Sequence, residues 1–130
     1  MTMVILRSEK MGDKVLHDRR RAMYQAIEWQ VRVGSNLWEP PSDLFETDIA
    51  YIVRVEIAGM RDQDFSVSIE GDILFISGQR ADTPERRAFF QMEIRFGEFN
   101  VAVSLPGPVE EESASATYED GFLYVTLPKA

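Results

Sequence analysis

The sequence contains no cysteine and a single histidine, His17. The first absence excludes disulfide frameworks, thiolate zinc sites, iron–sulfur clusters and cysteine nucleophiles. The second excludes multi-histidine metal sites and leaves His17 as the sole imidazole for any serine–histidine–aspartate chemistry. No apolar run reaches the roughly 18 residues of a membrane span, and the N-terminus has no apolar stretch of the secretion-signal kind. Positive charge is scarce: 14 Lys and Arg face 22 Asp and Glu, a net charge of −8. Nucleic acid and anionic membrane both need cationic surface, so neither is an expected partner. These absences point to a cytoplasmic protein that is not an enzyme and needs no cofactor.

What is present is enough for one domain with an arm. A chain of 130 residues, 45% of them apolar, can bury about 68% of the surface it exposes when unfolded. Its character changes near Pro40-Pro41, which divides it into an arm, 1–37, and a domain, 38–130. Within the arm, Val15, Leu16, Ala22, Met23, Ala26, Ile27, Gln30 and Val31 recur at helical spacing, predicting an amphipathic helix over 13–33 about 30 Å long. Asp13 suits its N-cap and Gly34 its stop. Four of the six methionines precede residue 38, and methionine repacks easily against varied apolar surfaces. A membrane-surface role for Arg19-Arg20-Arg21 is weakened by Asp13, Asp18 and Glu28 on the same segment.

From Leu44 onward the period becomes two. Tyr51, Val53, Val55 and Ile57 alternate with polar residues, as do Phe65, Val67 and Ile69, and again Phe99, Val101, Val103 and Leu105. Ile73–Ile76 is a continuous apolar run, the pattern of a strand covered on both faces. Phe89–Phe96 is mixed, Ala114, Ala116 and Tyr118 form a weaker strand, and Phe122–Leu127 closes the series. Gly71-Asp72, Gly97-Glu98 and Asp120-Gly121 read as hairpin turns. Seven or eight short strands with no helical pattern between them predict an all-β, antiparallel β-sandwich of immunoglobulin-like form behind a helical N-terminal arm.

Candidate catalytic groups do not converge. His17 reads as a solvated helix residue, Asp62 and Asp64 as strand-entry residues, and Glu110-Glu111-Glu112 as an acidic turn.

A set of motifs in one order carries a resemblance. These are Asp43-Leu44-Phe45-Glu46-Thr47, Val53-x-Val55-x-Ile57-x-Gly59-Met60, Ile76-Ser77-Gly78-Gln79-Arg80, Glu93-x-x-Phe96-Gly97-x-Phe99 with Leu105-Pro106, and Ala116-x-x-x-Asp120-Gly121-Phe122-Leu123. Across residues 43–129 the chain resembles the α-crystallin domain of small heat shock proteins of the bacterial, archaeal or plant type. The resemblance implies an ATP-independent holdase that binds partly unfolded client proteins through apolar surface. It implies a homodimer by strand exchange, with higher oligomers open. The exchange loop would be Arg80–Phe90, with Arg80, Glu85, Arg86, Phe89 and Phe90, aided by Glu93. The receiving edge would be Leu44–Asp48, with Leu44, Phe45 and Glu46. It further implies a hydrophobic groove walled by Val67, Ile69, Val101 and Val103, for which Val31-Arg32-Val33 has a ligand's pattern. Leu16, Met23, Ile27 and Trp29 would form a client-binding arm. A competing reading is a co-chaperone-like interaction module on the same sandwich.

Three departures stand out. Ile94 occupies the place of a family arginine, and Arg95, one residue on, falls on the other strand face. Val101 replaces a second arginine. No Ile/Val-x-Ile/Val motif follows Leu127-Pro128 in this sequence, the motif that the resemblance implies docks in a neighbour's groove and builds large shells.

Overall fold

The computed structural model describes residues 37–130 throughout and, before them, only the backbone of Thr2–Met3 and Leu6–Arg7. The predicted helix over 13–33, with Leu16, Met23, Ile27 and Trp29, lies outside the described residues, as do His17 and Val31-Arg32-Val33.

Strands β1 (Thr2–Met3), β2 (Leu6–Arg7), β3 (Ser42–Glu46), β4 (Ala50–Glu56), β5 (Phe65–Glu70), β6 (Ile73–Arg80), β7 (Gly97–Ser104), β8 (Ser115–Glu119) and β9 (Phe122–Pro128) form two sheets. One has the order β1-β8-β9-β4-β3 and the other β2-β5-β6-β7. Every pairing is antiparallel except β2 with β5. Short 3-10 turns occupy Asp62–Asp64 and Glu111–Ser113.

The alternation read from the sequence becomes the core. Val53, Val55 and Ile57 lie beside Leu123, Val125 and Leu127 of the same sheet, and this layer packs on Val67, Ile69, Leu74, Ile76, Phe99 and Val101 of the other, all fully or almost fully buried. Because successive strand residues point to opposite faces, Leu123 lies inside while Phe122 and Tyr124 stay half-buried on the other face. Phe75 is also buried, on the face of β6 opposite Leu74 and Ile76, as expected for a strand covered on both sides.

Two of the three turn expectations hold. Gly71-Asp72 joins β5 to β6 with Glu70 opposite Ile73, and Asp120-Gly121 joins β8 to β9 with Glu119 opposite Phe122. Asp120 and Gly121 both have positive φ, 51° and 85°, as a two-residue turn matched to strand twist requires. Gly97-Glu98 is no hairpin. It opens β7, opposite Arg80 and Gln79, because the residues before it form no strand in this chain.

The groove expectation also changes. Val67, Ile69 and Val101 are sandwich core and Val103 packs against it. Strand β6 lies between β5 and β7, so these four residues wall no open groove: their strands are not neighbours and their side chains fill the interior. The composition break at Pro40-Pro41 also divides what the sheets join, since Thr2–Met3 and Leu6–Arg7 pair with sandwich strands.

One side of the sandwich is closed by the chain's entry. The Trp38 N–H donates to the Glu98 carbonyl (3.1 Å), the Trp38 carbonyl accepts from Asn100 N–H (3.0 Å), and the indole Nε1–H reaches the Gly97 carbonyl (3.3 Å). The indole meets Phe99 edge-on, with centroids 5.8 Å apart. Pro40-Pro41 then carry the chain from the β7 edge of one sheet to the β3 edge of the other. Proline suits that crossing because it has no N–H to leave unpaired.

Candidate functional site

The β3 edge and residues 81–96 form the apolar surface on which function can be argued. All five residues of β3 are exposed. Among the described residues its one sheet neighbour is β4, so its outer backbone groups are open there to a further strand. Leu44 and Phe45 are exposed on it, and Ile49 follows at 77%. Arg54 of β4 pairs with Asp43 and lies over the Phe45 ring, 5.4 Å from its centroid. The hydrogen bond to Asp43 raises the Arg54 guanidinium above its ordinary pKa. Glu46 is paired with Lys129 at 2.8 Å.

Residues 81–96 leave β6, run without a strand of their own, and return to β7. Glu85, Arg86, Phe89, Phe90 and Glu93 are all exposed there. Phe90 is exposed to 105%, and Met92 and Ile94 each to 68%. Phe90, Met92, Ile94 and Phe96 alternate strictly with Gln91, Glu93 and Arg95. That is the pattern of a half-buried strand, in a segment with no sheet neighbour among the described residues. The segment curls around a hollow of about 410 Å³ lined by Phe89, Met92, Ile94 and Phe96 with Asp82 and Arg87. Arg87 pairs with Asp82 and lies over the Phe89 ring at 4.9 Å.

Arg80 holds the base of this segment. Its Nε–H donates to the Arg95 carbonyl at 2.9 Å and its Nη1–H to the Ala58 carbonyl at 3.3 Å. The guanidinium lies between the Trp38 and Phe96 rings, 4.6 and 5.1 Å from their centroids. Arg80 is therefore a clamp joining β6, the segment's return and the chain's entry.

The structure brings Leu44, Phe45 and Glu46 together on one edge and Phe89, Phe90 and Glu93 together on one loop. Sequence reasoning missed Met92, Ile94 and Ile49. The alternation from Phe90 to Phe96 was the available signal for the first two, hidden by the adjacent Phe89-Phe90 pair and by Ile94 standing where an arginine was looked for. Among the described residues no cluster of His, Asp and Glu is placed to hold a metal ion, and no helix is long and apolar enough to cross a membrane.

Comparison with known proteins sets this arrangement in context. Residues 43–130 match the Hsp20/alpha crystallin family. The chain is similar to small heat shock protein C2 of Rickettsia felis, 33% identical over 92 residues, covering 69% of this chain and 60% of that protein. It is 34% identical over 102 residues to the 17.3 kDa class II heat shock protein of Solanum peruvianum, covering 76% of this chain and 66% of the relative. Among solved structures, hspA from Xanthomonas axonopodis superposes with a TM-score of 0.65 at 26% identity, over 71% of this chain and 94% of that one. The chain thus spans about three fifths of the length of the Rickettsia relative.

Proposed function

The chain belongs to the Hsp20/alpha crystallin family, a family of chaperones and not of enzymes, and we propose that it is an ATP-independent holdase working from a strand-exchanged homodimer. One observation carries the dimer. Among the described residues, 90–96 have a strand's alternation and no sheet neighbour, while β3 is an open edge with exposed Leu44 and Phe45. Adding 90–96 of one protomer to β3 of another would satisfy both sets of backbone groups and cover both apolar rows. The two features are self-complementary, as a two-fold dimer needs. Apolar surface on this scale suits binding of partly unfolded proteins, and the acidic domain favours solubility while it is displayed.

The test is a heated thermolabile enzyme, with turbidity followed in the absence of nucleotide. Equimolar protomer should suppress the rise. Unchanged turbidity at several-fold molar excess would reject the holdase, and stoichiometric capture of one folded partner instead would favour an interaction module. Sedimentation should give twice the protomer mass or a multiple of it; a monomer at micromolar concentration would reject strand exchange.

A further inference from the structure

The chain's entry into the sandwich and the segment 81–96 meet at one point. Arg80 ends β6 opposite Gly97, the first residue of β7, so the segment leaves and rejoins the sheet through a narrow mouth. Trp38 is fixed beside that mouth by its backbone bonds to Glu98 and Asn100, and its indole Nε1–H reaches the Gly97 carbonyl. Phe96 is the last member of the row Phe90, Met92, Ile94 and Phe96, and the one of the four that is not exposed.

Arg80 is common to both sides. Its guanidinium lies over the Trp38 ring at 4.6 Å and the Phe96 ring at 5.1 Å. Its Nε–H holds the Arg95 carbonyl at 2.9 Å. A guanidinium can do both at once, because its N–H groups donate in its plane while its faces stack on rings. Withdrawing Trp38 from β7 takes away one ring and frees the guanidinium to leave Arg95 and Phe96, the residues that fix the segment's return. Coupling of this kind is reciprocal, so a partner strand that holds 90–94 also favours Trp38 on its edge.

We propose that Trp38 and Arg80 are positioning residues for strand exchange: their stack with Phe96 couples the chain's entry to the exchange segment, which is presented to a partner's β3 when Trp38 is seated on β7 and loses that placement when it is not. The partner edge rests on the strand-exchange reading. The coupling between Trp38 and the segment lies within one chain and does not.

Two substitutions at one position test it. Trp38→Phe keeps a ring for the guanidinium, and Trp38→Leu keeps apolar bulk without one. With the full chain at dilution and urea denaturation showing both variants folded, limited proteolysis within 81–96 should be about fivefold faster for Trp38→Leu. In an Arg80→Ala background the two should be cut at one rate, since the group that reads the ring is gone. Arg80→Lys reaches the same point without touching the core: it keeps the charge, loses the planar fork and should be cut faster than the parent. Equal rates for the two Trp38 variants, a difference that survives Arg80→Ala, or parental cleavage of Arg80→Lys would each overturn the coupling. Sedimentation of the same set should place the dimer dissociation constants in the same order. Constants equal to the parent's throughout would overturn the positioning role. A ring-dependent cleavage difference in a chain that stays monomeric at every concentration would overturn strand exchange and leave the coupling standing.

Discussion

Gly78 of β6 stands between Phe65 of β5 and Phe99 of β7. A Cβ there would lie 2.4 Å from the Asp64 carbonyl oxygen and 2.7 Å from the Phe99 ring. Neither neighbour can yield without moving a strand entry or a core ring. Gly78→Ala should therefore destabilise the domain by about 3 kcal/mol, at the upper end of overpacking costs. Gly121 is constrained by conformation more than by space: φ is +85° and the nearest atom to an added Cβ is the Ala58 Cβ at 3.4 Å. Gly121→Ala should cost less, about 1–2 kcal/mol. Urea denaturation of the two variants checks the order. Leu123→Ala, at a position with no exposed surface, should cost about 2–5 kcal/mol through lost burial and a cavity. All three residues lie in motifs readable from the sequence, but the physical reason for Gly78 does not. It depends on two strands that reach it from 13 or more residues away.

At the scale of elements, the proposed strand exchange assigns the segment from Ala81 to Phe96 to association and not to folding. Phe90 and Ile94 bury little or nothing in their own chain. Phe90→Asp/Ile94→Asp should leave the unfolding midpoint of the monomer within about 0.5 kcal/mol of the parent while weakening the dimer, since each change would place a charge against β3. Sedimentation at falling concentration reads the second effect and denaturation of the dilute chain reads the first; equal loss in both would mean the segment is part of the domain's own stability. Arg80 works at the same scale. Arg80→Ala removes the donors that hold the Arg95 and Ala58 carbonyls and the cation between two rings. Limited proteolysis should then cut within 81–96 sooner than in the parent, with the sheets intact.

The whole molecule carries its charge unevenly. Residues 1–37 hold seven Lys and Arg against four Asp and Glu, and residues 38–130 hold seven against eighteen, so +3 and −11 sum to −8. Mutual repulsion between acidic domains limits association beyond what the apolar edges specify. With one histidine in the chain and one N-terminal amine, net charge changes by less than about two units between pH 8 and pH 6. Light scattering should therefore report a nearly constant particle size over that range. Precipitation should set in only as the carboxylates titrate near the sequence pI of about 4.6. A large size change between pH 8 and pH 6 would overturn this expectation.

Alternation, turn residues and composition determined most of the sandwich. Val53, Val55 and Ile57, then Leu123, Val125 and Leu127, read as inward rows and are inward rows. Strand period and residue polarity are local quantities, and a one-residue shift would have reversed every face. Which rows meet is not local. The sequence placed Val67 and Ile69 opposite Val101 and Val103 across a groove, whereas β6 separates their strands and the sandwich encloses them. It also left Thr2–Met3 and Leu6–Arg7 in the arm, where only sheet order could bring them to β8 and β5. Phe90–Phe96 carries a strand's pattern without a sheet partner among the described residues, because pattern makes a segment ready for a sheet and does not by itself supply an edge.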